Sequence, residues 1–126
     1  MLSVVLFMLL GAVGPGQGAT QVKETIPQAQ PVFLWLKAVK DGDQERLKTC
    51  FSDAIRGQFE KEGWDKVMAV YQGVFNKEFG DYRPEDFSFQ FQGGESRGTV
   101  LISYRGKILP GLQVIKERNE WKVDER

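Results

Sequence analysis

Near Glu85 the apolar residues of this chain stop recurring every three to four positions and begin to recur every second one. Helical patterning lies before that point and strand patterning after it, closing on Trp121-Lys122-Val123-Asp124. This order of events predicts an α+β domain in which three N-terminal helices pack on one curved, four-stranded antiparallel sheet.

The helical half divides at its punctuation. Pro31 suits the first turn of a helix, and Val32, Trp35, Leu36 and Val39 then share one face. Asp41-Gly42-Asp43 ends that helix, with Gly42 free to turn left-handed and Asp43 placed to cap the next. A second apolar stripe runs through Leu47, Cys50, Phe51, Ala54 and Ile55, with a break expected around Gly57. The third helix is expected from about Lys61 to Lys77, its inner arc formed by Trp64, Val67, Met68, Tyr71, Val74 and Phe75. Gly80 caps it and Pro84 bars its continuation.

In the strand half, Phe87, Phe89 and Phe91 alternate with Ser88, Gln90 and Gln92, so one face is aromatic and the other polar. Turns are expected at Gly93-Gly94, Arg105-Gly106-Lys107 and Arg118-Asn119. Pro110-Gly111 interrupts the run from Ile108 to Glu117. Because proline donates nothing to a ladder, that point should be a bulge or a sheet edge.

Residues 1–19 stand apart from this body. The uncharged run from Met1 to Val13 is too short for an anchored bilayer span, which needs about 20 residues. It reads as the apolar core of a signal peptide, with small residues at Gly18 and Ala19 for cleavage, although no Lys or Arg precedes Lys23. The expectation is an exported protein, periplasmic or secreted, with no integral membrane segment once the leader is removed. Residues 20–30 read as a polar linker, and residues 31–126 as the folded domain.

Composition removes several function classes. Seventeen basic residues balance seventeen acidic ones, so no basic stripe invites nucleic acid. A single cysteine precludes an internal disulfide and a Cys-based metal site, and the spacing of Cys50 marks it as core. There is no histidine, so Ser52, Ser88, Ser96 and Ser103 have no His to activate them. A general base would have to be a carboxylate, and Asp86, Glu95 and Glu117 are the ones near strand entries, where solvated charges are the rule. No metal, cofactor or catalytic residue is expected.

The aromatic residues suggest binding instead. Trp35, Trp64, Tyr71, Tyr104 and Phe89 are the principal pocket candidates among rings that could line a cavity between helices and sheet, with Phe75, Phe87 and Phe91 beside them. The partners expected are a small apolar ligand or an envelope protein. A homodimer could form through the outer sheet face, where Ser88, Gln90, Gln92, Thr99 and Ser103 should lie.

The succession of a helix, Asp41-Gly42-Asp43, further helices ending at Phe79-Gly80, and a meander finishing Trp121-Lys122-Val123-Asp124 resembles the nuclear transport factor 2-like superfamily. The likeness is to its small exported bacterial members of unknown function, and covers Pro31 to Glu125. It implies a cone, three helices over a bent sheet with a pocket at the wide end. That superfamily contains isomerases, cyclases and dehydratases as well as non-enzymatic binding and dimerisation modules, so fold alone does not choose among them. The residues favour a non-catalytic binding domain. A carboxylate-based isomerase, cyclase or dehydratase is the alternative.

Overall fold

The structure, a computed structural model, describes residues 25–126. The expected leader and the start of the linker lie outside the described residues. Four α-helices come first, α1 Gln30–Asp41, α2 Gln44–Lys48, α3 Asp53–Glu62 and α4 Trp64–Phe79. Four strands follow, β1 Phe87–Gly93, β2 Arg97–Tyr104, β3 Lys107–Glu117 and β4 Glu120–Val123. They form one antiparallel sheet in the order β1-β2-β3-β4, as the change of period predicts. The domain is α+β, with four helices rather than three.

Folding begins before the expected Pro31. Pro27–Ala29 makes a 3-10 turn that leads into α1, and Ala29 is completely buried. Pro31 stands in the first turn of α1, where its missing N–H costs no intrahelical bond. Val32, Leu36 and Val39 turn into the core, and Gly42 ends the helix in the left-handed conformation with φ 69°. Asp43 caps α2 as expected, its carboxylate accepting from the Arg46 N–H at 3.1 Å.

The second helical stripe does not form one helix. It is split at Cys50–Ser52, where the chain pairs with the end of the sheet. Ser52 N–H donates to Val123 O and Val123 N–H donates to Cys50 O, each at 2.8 Å, making a parallel bridge at Phe51. Two backbone bonds to β4 replace the helical bonds those residues would have made. Ser52 then caps α3, accepting from the Ile55 N–H, while its hydroxyl donates to the Asp124 carboxylate. Arg118 grips Asp53 with two bonds of 2.8 and 2.9 Å, and the Glu117 carboxylate accepts from the Asp53 N–H.

Gly57 does not break the chain. It lies inside α3, and the break comes at Gly63, whose φ of 97° suits the residue without a side chain. Helix α4 therefore starts at Trp64 and buries Trp64, Val67, Met68 and Phe75. Val74, expected in the core, is 47% exposed. Ala54 is exposed as well.

On the sheet, Phe87, Val100, Ile102, Tyr104, Val114 and Val123 are buried under the helices. The register places Ser88, Gln90, Gln92, Thr99 and Ser103 on the opposite face, where all five are exposed or half-exposed. Arg105-Gly106 and Arg118-Asn119 make two-residue turns with positive φ at both positions, which matches the twist of the strands they join.

The interruption at Pro110-Gly111 is a bulge. Val100 pairs with Leu112 and Ile102 with Leu109, so two residues of β3 stand opposite Leu101. Pro110 also lies where β4 no longer accompanies β3, since β4 pairs only from Val114 to Glu117. A Cβ on Gly111 would sit 2.7 Å from Thr99 Cγ2, closer than atoms pack, and 3.2 Å from Val100 O, a tight contact.

Two stability predictions follow from these details. Ser52→Ala removes a helix cap and a bond to a carboxylate together, and should lower unfolding stability by about 2 kcal/mol, read from the urea midpoint at unchanged slope. Gly111→Ala forces β3 away from β2 and should cost about 1–3 kcal/mol, read the same way. A neutral result for the second would mean that the bulge relaxes freely.

Candidate functional site

Between the helical layer and the sheet lies a cavity of about 360 Å³. Helix α1 supplies Val32, Trp35 and Leu36 to one wall. These residues are three and one apart, so one helical face presents all of them. Helix α4 supplies Val74, Phe75, Glu78 and Phe79, again one face by the same spacing. The sheet contributes Phe87 and Ile102 from β1 and β2, and Leu109, Pro110 and Leu112 from β3.

The β3 contribution depends on the bulge. With strict alternation Leu109 and Leu112 would face opposite sides of the sheet. The extra residue between them resets the pleat, so that both side chains meet the cavity and Pro110 lies at its edge. Val74, Glu78 and Pro110 are exposed and mark the mouth.

Eleven of the twelve lining residues are apolar, and Glu78 is the only ionisable one. The Trp35 indole N–H is buried with no hydrogen-bond partner among the described residues. An unmet buried donor costs about 1–3 kcal/mol, which the packing of the ring must offset. The Trp35 ring is wedged against Tyr71 at 5.0 Å, Phe75 at 5.5 Å and Phe51 at 5.7 Å.

Of the five aromatic residues expected at a pocket, Trp35 lines this cavity and the other four have places elsewhere. Trp64 is buried where α3 meets α4, its indole N–H donating to Glu60 at 2.7 Å and its ring packed on Phe59. Tyr71 stands behind Trp35, among Phe51, Phe59 and Phe75. Burial and the Glu62 carboxylate raise its phenol to about 12. Tyr104 stacks on Phe87 at 4.3 Å and meets Phe79 at 5.2 Å, which buries it beyond the cavity wall. Phe89 is half-buried on β1 opposite Ile102. Phe75 and Phe87, also considered from sequence, do line the cavity, whereas Phe91 packs on Trp121.

The carboxylates considered as bases stand outside the cavity. Asp86 pairs with Arg105 at 3.1 Å, Glu117 serves the start of α3, and Glu95 is exposed in the β1–β2 turn. Sequence reasoning missed Glu78 because it sits one residue before the helix-ending Phe79-Gly80, where a charged side chain reads as solvated surface. Its signal was the spacing to Val74 and Phe75, four and three residues earlier.

A larger depression of about 480 Å³ shares Phe75 as a wall, and three of its polar side chains are already engaged as donors. Gln72 donates to Val39 O at 3.3 Å, Tyr82 donates to Leu36 O at 2.6 Å, and Lys40 pairs with Asp81 at 2.8 Å. Another, of about 490 Å³, lies between the start of α1 and the β3–β4 turn, where Lys122 donates to Thr49 O. Among the described residues no group of three or more His, Cys, Asp and Glu stands where it could hold a metal ion. No described helix is long and apolar enough to cross a membrane.

Cys50 is fully buried and serves packing, as its spacing predicts. Burial raises its thiol from an ordinary 9.0 to about 12, outweighing the nearby Lys122 and Arg46. The described residues therefore form an α+β domain with an apolar cavity between its layers. Comparison with family models, with curated proteins and with solved structures finds no match for this chain.

The state of Cys50 generates a test of the core. Native protein at pH 8 should resist alkylation by iodoacetamide, and unfolded protein should react within minutes. Because the thiol's value is raised by folding, the unfolded chain loses that proton first. Stability is then fully present below about pH 9 and falls between about 9 and 12, by up to about 1.4 kcal/mol per pH unit. Cys50→Ala should reduce that slope, which denaturation midpoints at pH 8 and 10.5 would measure.

Proposed function

We propose that this chain is an exported binding domain of the nuclear transport factor 2-like, cone-shaped kind, and that it takes up a small apolar molecule between α1, α4 and the sheet. The observation that carries the reading is the cavity itself, 360 Å³ in volume with walls almost wholly apolar. That size falls within the range of about 300–1,000 Å³ typical of small-molecule sites. The one carboxylate of these walls, Glu78, stands exposed at the mouth, and the lining offers it no polar side chain to act with and no nucleophile, which favours binding over catalysis.

The test is to occupy the cavity with a side chain. Leu109 lines the cavity on the sheet side and is half-buried, so Leu109→Trp should fill the space without crossing the core. Wild-type protein should bind an apolar fluorescent dye stoichiometrically while still unfolding cooperatively, and the variant should lose at least tenfold in affinity. Equal dye binding by both proteins would place the dye elsewhere and defeat the proposal.

A further inference from the structure

The chemistry of the cavity walls narrows the ligand class, on the premise that the cavity binds a small molecule at all. Glu78 is the one charged side chain in the lining and stands at the mouth. Among the described residues it has no ion pair and no hydrogen bond. Lys40 and Arg105 are committed to other carboxylates, Lys40 to Asp81 and Arg105 to Asp86. Lys77, its neighbour in sequence, forms no pair with it. The charge is therefore uncompensated, at the entrance to a site whose walls include the rings of Trp35, Phe75, Phe79 and Phe87.

Aromatic rings with one carboxylate form the environment that favours an organic cation. Ring faces attract a positive centre through their quadrupoles, and they do so without requiring it to give up hydrogen bonds if it is alkylated. The carboxylate adds a direct charge pairing, whereas an anionic head group at the same mouth would meet repulsion. We infer that the cavity binds amphiphiles whose apolar body ends in an ammonium group, with the cationic end at Glu78 and the body between α1, α4 and β3.

Three octyl probes that differ only in the head group test this: octyltrimethylammonium, octanol and octanoate, titrated below their aggregation limits and followed by tryptophan fluorescence. Wild-type protein should prefer the cation over octanoate by roughly tenfold, with octanol between them, as two opposed partly exposed charge terms imply. Glu78→Gln should weaken the cation roughly fivefold and leave octanol unchanged, and Glu78→Lys should invert the order of cation and anion. Glu78 is exposed, so neither variant disturbs the core. Binding of all three probes without preference, or an unchanged preference in Glu78→Gln, overturns the inference while leaving the cavity reading standing. Binding of none of the three overturns both.

Discussion

The short backbone pairing between Cys50–Ser52 and Val123 is the constraint on which the rest of this fold depends. Helices that precede a sheet in sequence need a fixed point on it, and here the chain supplies one by leaving the helix for three residues. Phe51, at the centre of that pairing, is carried into the middle of the helical layer. There it meets Trp35, Phe59, Trp64 and Tyr71. Each such ring contact is worth about 0.5–1.5 kcal/mol beyond its buried area, so the pairing positions a large share of the packing energy. Ser52 and Asp53 then tie α3 to the two ends of β4, through Asp124 on one side and Glu117 and Arg118 on the other.

The cavity wall inherits its geometry from that point. Trp35 is held from behind by Phe51 and Tyr71, so its ring cannot fall back into the core and leave the α1 face open. Opposite, the Pro110-Gly111 bulge brings both Leu109 and Leu112 to the same side of the sheet. One wall is fixed by aromatic packing and the other by a backbone irregularity.

These two devices differ in how far the sequence discloses them. Pro110-Gly111 announces itself, because proline without an N–H has few places in a ladder, and the bulge appears where it was expected. The split at Cys50–Ser52 is concealed, because Leu47, Cys50, Phe51 and Ile55 keep helical spacing across it. The hydrogen bonds that break the helix come from Val123, more than seventy residues away, and local periodicity cannot register a distant partner. The same limit affects the site. Trp35, Phe75 and Phe87 were recognisable as aromatic residues on inward faces, but whether an inward ring lines a void or fills it depends on its neighbours across layers. Tyr104 is covered by Phe79 and Phe87, and Trp64 by Phe59, contacts made by tertiary packing alone. Glu78 was missed for the opposite reason, since a charge near a helix end is ordinarily surface.

A cavity of this size has an energetic consequence. At about 24 cal/mol per Å³, a dry void of 360 Å³ would cost about 9 kcal/mol, comparable with the whole stability of an ordinary domain. The open mouth at Val74, Glu78 and Pro110 avoids that cost by admitting water. Water in such a place is poorly held, because each molecule needs two to four polar partners, and of the lining side chains only Glu78, at the mouth, carries a charged group. Displacing weakly bonded water by an apolar group releases free energy rather than consuming it. The fold thus maintains, between aromatic packing on one side and a backbone bulge on the other, a space that its own side chains leave open and whose apolar walls hold water weakly.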